Sequence, residues 1–259
     1  MAANRDAPRR STAGRALALL GVFDAAHPRL KLTELARRAD LPLATVHRLA
    51  GELVSWGALE RDAEGCYSIG LRLWEAATLA PVAGRLREIA LPFMQDLYGT
   101  TRENIHLAVH DGFDALYVEK LSGHRSVPVI SRIGARLPLH PTGVGKALLA
   151  RADREFVRGY LERPLARFTR YTITEPARLA RELRVTAERG YALTNEEMTL
   201  GSCSVAVPIP SAGPEPAGAL GVVVRSVRTD LHRLVPELRA AADAIARRLD
   251  EASAPRGSG

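Results

Sequence analysis

The segment from Leu32 to Arg61 limits the fold more than any other part of the chain. Leu32, Leu35, Ala36 and Ala39 fall on one helical stripe, Asp40-Leu41-Pro42 interrupts the pattern, and Val46, Leu49 and Leu53 begin a second stripe in a new phase. Pro42 suits the first turn of the second helix, where its missing N–H costs nothing. Two short helices joined by so tight a turn cross steeply and share a small core, which is a helix-turn-helix. Opposite its buried stripe the second helix exposes Ala44, Thr45, His47, Arg48, Gly51 and Glu52, a face able to enter a major groove with its N-terminal end first. Paired amphipathic helices are common in any globular protein and carry no function by themselves. The residues just beyond them decide between the two. Ala58-Leu59-Glu60-Arg61 and Cys66-Tyr67-Ser68-Ile69 alternate in character around Asp62-Ala63-Glu64-Gly65, so they form a β-hairpin with Gly65 in the turn. A hairpin directly after the second helix is the wing of a winged helix. The expectation is DNA binding through Ala44, Thr45, His47 and Arg48, with Arg61 on the wing.

The remaining chain is long enough for a second body. At 259 residues there is length for one large domain or two ordinary ones. A hydrophobic fraction of 46% and a charged fraction of 25% are those of a soluble globular protein. The net charge of +7 is nearly all arginine and gives only mild support to a phosphate-bearing partner. Two cysteines, Cys66 and Cys203, supply neither a disulfide framework nor a zinc cluster, which fits a reducing cytoplasm. No apolar run approaches a membrane span, and the N-terminus lacks the apolar core of a signal peptide. Residues 1–10 are expected to form a disordered basic tail in which Arg5, Arg9 and Arg10 could meet phosphate. Ser11 is an expected N-cap for a first helix that buries Ala13, Leu17, Leu20 and Phe23 and ends at Ala26-His27-Pro28. Leu71 to Ala80 is helical in composition, and Leu71, Trp74 and Leu79 are too apolar for a solvated spacer.

Beyond Pro81, Leu86, Ile89, Ala90, Phe93 and Leu97 mark a helix ending before Gly99. Asn104–His110 and Ala115–Lys120 are strands of a hairpin closed through Asp111-Gly112. Val127–Ile130 is a further short strand. Helices around Gly145–Ala150 and over Pro176–Arg189 come next, then strands at Ser204–Pro208 and Leu220–Val224, then a helix from Asp230 to Leu249. This alternation indicates an α/β domain on an antiparallel or mixed sheet. Catalytic readings fail there. Gly143-Val144-Gly145-Lys146 lacks the first glycine of a phosphate loop, where His140 stands, and Ala147 follows the lysine in place of Ser or Thr. Ser202-Cys203-Ser204 has no Gly-x-Ser-x-Gly frame, and His106, His110, His124 and His140 have no helical zinc spacing. Glu196 and Glu197 are adjacent, so on a strand their side chains point apart as a solvated pair. No cofactor or metal is expected.

Leu-Pro-x-x-Thr-Val-His-Arg-Leu at 41–49, Gly-Ala-Leu-Glu-Arg-Asp at 57–62 and Tyr-Ser-Ile-Gly-Leu-Arg-Leu at 67–73 resemble the isocitrate-lyase-regulator (IclR) family of bacterial transcription factors. So do Asn-Ile-His-Leu-Ala-Val-His-Asp-Gly from 104, Ser-Arg-Ile-Gly-Ala-Arg-Leu-Pro-Leu-His from 131, Gly-Lys-Ala-Leu-Leu-Ala from 145 and Glu-Arg-Gly-Tyr-Ala-Leu from 188. The resemblance covers nearly everything from Ser11 to about Leu249. It implies an α+β protein: a winged helix-turn-helix domain over 11–70, a linker helix over 71–80, a GAF-like α/β effector-binding domain over 81–252 and a short disordered tail over 253–259. It also implies a homodimer or dimer of dimers, a double-stranded operator and a small-molecule effector. The family often has a lysine and a serine where Leu43 and Ala44 stand, so base readout here leans on Thr45, Arg48 and the wing near Arg61.

The family's effector pocket carries over with informative departures. The segment before Gly-Lys-Ala-Leu-Leu-Ala lines it, which makes Gly143 and Val144 candidates; small residues there either present backbone N–H groups to a carboxylate or simply form a tight turn. Where the family often has Asp-Asp before Glu-Glu, this chain has Thr194-Asn195. The family's pocket cysteine aligns with Ser204, Cys203 falls on the opposite face, and Ser202 joins Ser204 on the pocket side. Two family serines are replaced by Gly221 and Val223. The resemblance thus implies an effector larger or more apolar than a small oxoacid, such as an aromatic or acyl carboxylate. Its polar end meets Gly143 and Ser204, and its apolar body lies against Val129, Leu137 and Val223. The alternatives are a second domain that serves only dimerisation or, less favoured, an enzyme domain.

Overall fold

A computed structural model describes residues 11–24, 26–79, 81–123, 126–225 and 230–253. The expected tails at 1–10, with Arg5, Arg9 and Arg10, and beyond Ser253, together with Ala80 and His124, lie outside the described residues. The chain divides into two compact units, Met1–Ala80 and Pro81–Gly259.

In the first unit α1 (Thr12–Leu20) begins at Ser11, whose Oγ accepts from the Gly14 N–H at 3.1 Å. After β1 (Leu30–Lys31), α2 (Leu32–Ala39) stops at Asp40 in the left-handed conformation, φ 55°, and α3 (Leu43–Trp56) starts behind Pro42. The wing is β2 (Leu59–Arg61) and β3 (Cys66–Ile69), and β1 extends it to a three-stranded sheet ordered β1-β3-β2. Leu19, Leu35, Val46, Leu49 and Tyr67 meet in one small core. The expected phase of α1 is wrong. Leu17 is 66% exposed and Leu19 is fully buried. The helix ends at Gly21 and not at Ala26-His27-Pro28, so Phe23 reaches the core from the next loop and does not fix the helix's phase; the Ala16-Leu19-Leu20 stripe faces inward. The unit closes with α4 (Leu71–Thr78).

The root of α4 is tightly made. Gly70 passes so near Gly57 that a Cβ on it would sit 2.2 Å from the Gly57 carbonyl oxygen. The Leu71 N–H donates to Glu60 Oε1 at 3.2 Å, and Arg72 donates to the Trp56 carbonyl at 3.1 Å while covering the indole ring.

The second unit begins with α5 (Pro81–Thr101), which runs through Gly99 where an end was expected. Then come β4 (Asn104–Asp111), β5 (Asp114–Leu121), β6 (Arg136–Pro138), α6 (Gly143–Leu149), α7 (Arg154–Leu161), α8 (Pro176–Arg189), β7 (Ala192–Asn195), β8 (Ser202–Ile209), β9 (Gly218–Arg225), a 3-10 turn at Leu231–Leu234 and α9 (Val235–Ser253). The six strands form an antiparallel sheet ordered β6-β5-β4-β9-β8-β7. Strand alternation sends Ile105, Leu107, Cys203, Val205, Leu220 and Val222 to one face, packed with α5 and α9. Ala108, Tyr117, Ala206 and Ala219 turn to the other face, beneath α6, α7 and α8.

Two expectations here are corrected. Val127–Ile130 is not a strand. Pro128 has no N–H for a ladder, and side chains hold the segment in its place: Asn104 Nδ2 donates to the Val127 carbonyl and Lys120 Nζ to that of Ser131, both at 2.8 Å. Nor are Glu196 and Glu197 a solvated pair on a strand. Glu196 leaves the strand with φ 53°, and Glu197 is buried.

Candidate functional site

On α3, Ala44, His47 and Arg48 are exposed and Thr45 is half-buried. Burial of Val46 and Leu49 fixes that presentation. Arg48 Nη1 donates to Glu52 Oε1 at 2.5 Å, one turn on, so its guanidinium is held along the helix by a partner it can exchange for another anion. Arg61 lies on the wing with its guanidinium 5.5 Å from the Tyr67 ring centroid. At the wing tip Arg29 donates to Asp62 Oδ2 at 2.6 Å and to Glu64 Oε2 at 3.0 Å, which offsets two acidic groups beside the basic face.

The second unit holds a cavity of about 490 Å³, counted with its mouth, on the α6 side of the sheet. Val129, Leu137, Gly143, Val144, Thr194, Ser202, Ser204, Gly221 and Val223 all line it, so every residue expected in the pocket is brought to one place. Register explains the floor. Thr194 pairs with Ser204 and Ser204 with Val223, while Ala206 pairs with Gly221 and Gly221 with His106. The small residues leave little room for larger ones. A Cβ on Gly143 would come 2.5 Å from Ser204 Oγ, and one on Gly221 would meet Val144 Cγ1 at 3.0 Å. Val144 therefore closes over the place a side chain at 221 would fill.

The cavity also takes in His106, Tyr117, Ser131, Thr142 and Met198, none of which was expected from the sequence. Asn-Ile-His-Leu-Ala-Val carried the signal for His106, since alternation sets it on the face opposite Ile105 and Leu107, a polar ring among small residues. Polar groups cluster in two places. Thr194 Oγ1 and Ser204 Oγ share a hydrogen bond at 2.5 Å, with Ser202 Oγ donating to the Thr199 carbonyl at 2.7 Å. Across β9, Ser131 Oγ and His106 Nε2 are 2.9 Å apart, and the Tyr117 ring meets the His106 ring edge-on at 5.2 Å between centroids. Burial, and secondarily the Lys120 charge, holds the His106 pKa down at about 3, so the imidazole is neutral. Burial likewise raises the Tyr117 phenol well above its ordinary value.

Behind the cavity, Lys146 is fully buried and its Nζ donates to Glu197 Oε1 at 2.6 Å. Gly145 lets α6 start against Leu139, whose carbonyl oxygen would lie 2.3 Å from a Cβ at that position. The Gly-Lys dipeptide is a packing device and an internal ion pair. Burial raises the Glu197 carboxyl above its ordinary range, and Lys146 partly offsets this.

Family models match both units. That for the IclR helix-turn-helix domain covers residues 12–63, and that for the bacterial transcriptional regulator IclR C-terminal domain covers residues 82–249. The chain belongs to the IclR family. It is 32% identical to the HTH-type transcriptional regulator KipR of Bacillus subtilis over 78% of this chain and 80% of that one. To the transcriptional repressor IclR of Escherichia coli it is 31% identical, over 80% of this chain and 77% of the repressor. Among solved structures, an IclR homologue from Microbacterium hydrocarbonoxydans complexed with 4-hydroxybenzoate superposes with a TM-score of 0.89 at 34% identity, covering 93% of this chain and all of that one. Like its IclR relatives, the chain is a transcriptional regulator that combines a DNA-binding helix-turn-helix domain with a C-terminal effector-binding domain.

Proposed function

We propose that Ala44, Thr45, His47 and Arg48 on α3, with Arg61 on the wing, contact the operator, and that the cavity under α6 is the effector site of a regulator that catalyses nothing. The domains run as the sequence indicates: 11–70 for the head, 71–80 for the linker helix and 81–252 for the effector domain. The protein works in the cytoplasm as a homodimer or dimer of dimers. The observation that carries the effector reading is the convergence of Val129, Leu137, Gly143, Val144, Thr194, Ser202, Ser204, Gly221 and Val223 on one cavity. A cavity lined mainly by apolar groups with a few placed hydroxyls suits a small amphipathic molecule. Val223 in place of a hydroxyl leaves a polar ligand oxygen without a partner, at about 1–3 kcal/mol. It also gains on the order of 25 cal/mol per Å² of ring or chain it covers. The effector is accordingly an aromatic or acyl carboxylate and not a two- or three-carbon oxoacid. The 4-hydroxybenzoate held by the Microbacterium relative is of that class.

Calorimetry of glyoxylate and pyruvate against aromatic and medium-chain carboxylates tests the effector class. Tighter binding of the oxoacids, indifferent to Val223→Ser, would overturn it. For the head, Arg48→Ala is expected to weaken operator binding by about 1–3 kcal/mol with relaxed specificity at one position if it reads a base. If it meets phosphate alone, all sequences weaken alike and the salt slope falls by about one unit. Unchanged affinity and unchanged salt dependence would sink the assignment of this face.

A further inference from the structure

The cavity has a second polar end that a ligand with a single acid group would leave idle. Thr194 and Ser204 lie on β7 and β8, His106 lies on β4, and β9 runs between them with Gly221 and Val223, neither of which carries a polar side chain. β4 and β8 are two strand spacings apart, about 10 Å, and His106 stands two residues along from the register of Ser204, so the diagonal between them is about 12 Å. One six-membered ring with an oxygen at each end, and a hydrogen bond beyond each oxygen, covers that span.

The His106 end is built and not incidental. Ser131 is brought to His106 by a segment without ladder bonds, fixed through Asn104 to the Val127 carbonyl and through Lys120 to the Ser131 carbonyl. Resting on the assignment of this cavity to the effector, we propose that His106 and Ser131 form a hydroxyl subsite, and that the effector carries a neutral hydroxyl across its ring from the group held at Gly143 and Ser204.

The chemistry favours a hydroxyl over a second acid. No residue lining the cavity bears a charged side chain at neutral pH among those described. Lys120, the nearest cation acting on His106, is already donating to the Ser131 carbonyl. A second carboxylate would add another buried charge to a cavity that supplies no counter-ion at either end. His106 Nε2 is engaged by Ser131, so the Ser131 hydroxyl is the group that meets the ligand: it accepts while donating to Nε2 or donates while accepting from it, and a ligand hydroxyl suits either case. The faces of Val129, Val144 and Leu137 supply the apolar walls between the two ends. Sites built around a substrate hydroxyl reject the analogue that lacks it far more strongly than an apolar pocket rejects one that adds it.

The test is calorimetry of the full-length protein with 4-hydroxybenzoate and its near-isostere 4-methylbenzoate. The hydroxy compound is expected to bind at least tenfold more tightly to the unaltered protein. In Ser131→Ala, and in His106→Phe where that variant folds, the ratio is expected to fall to about threefold or less while 4-methylbenzoate binds as well as before or better. A merely structural role would weaken both ligands together and leave the ratio intact. Equal binding by the unaltered protein, a ratio that survives Ser131→Ala, or no binding of either compound would each overturn the subsite. Val223→Trp separates this failure from that of the effector-site reading. If filling the cavity abolishes binding but the preference ignores Ser131, only the subsite falls. If binding survives Val223→Trp, the ligand sits elsewhere and both fall.

Discussion

A lysine ammonium held against one oxygen of a buried glutamate sets the terms for the interior of the effector domain. Glu197 Oε2 has no hydrogen-bond partner among the described residues, so the pair is only partly satisfied. Removing one member strands the other charge in a dry place. Lys146→Met alone is expected to cost about 3–5 kcal/mol, whereas Lys146→Met combined with Glu197→Leu should recover most of it. Urea midpoints of the single and double variants check this, and an equally destabilised double variant would contradict it. His106 makes a second, pH-dependent contribution. Its pKa falls from 6.5 to about 3 on folding, so between those values the unfolded chain binds a proton that the folded one does not. Stability therefore rises with pH across that window and falls on acidification, by up to about 1.4 kcal/mol per pH unit for one such group. Thermal melts from pH 7 to pH 4 are expected to show a shallower acid loss in His106→Phe than in the parent. Identical slopes would show that the imidazole does not govern it.

At the scale of elements, the sequence is legible wherever local chemistry and tertiary packing agree. Both ends of α8 are legible because Pro176 opens it and Gly190, at φ 78°, closes it. The β4–β5 hairpin is legible from Asp111-Gly112, and the wing from Gly65, which takes φ 78° in its turn. Failures fall where one of the two is silent. α7 is a single short helix announced only by Asp153, whose carboxylate accepts from the Glu155 and Phe156 N–H groups. β6 is three residues long, too short for alternation to show. In α1 two stripes of similar apolarity compete, and contact with the rest of the head chooses between them. The pocket obeys the same rule. Its floor is readable from strand alternation, while Ser131 is not, since an irregular segment held by side-chain bonds leaves no period to read.

For the whole molecule, α4 is the place to look for assembly. Leu71, Trp74 and Leu79 are 70%, 64% and 81% exposed, and no residue of α4 is buried within its own unit. Apolar side chains so presented on a short helix gain by meeting another copy. We expect Leu71→Glu with Trp74→Glu to shift the protein toward monomer in sedimentation at micromolar concentration and to reduce the operator footprint to one half-site. A dimer unchanged by both substitutions would place the contact elsewhere. The root of that helix has a separate consequence. Gly70 against Gly57, Leu71 on Glu60 and Arg72 on Trp56 tie the start of α4 to the end of α3 and to the wing. A torque applied to α4 would pass through these contacts to α3. In the proposed dimer it would turn the α3 face as a handle turns a key, and a few degrees of rotation would decide whether two such keys still fit grooves one helical turn apart.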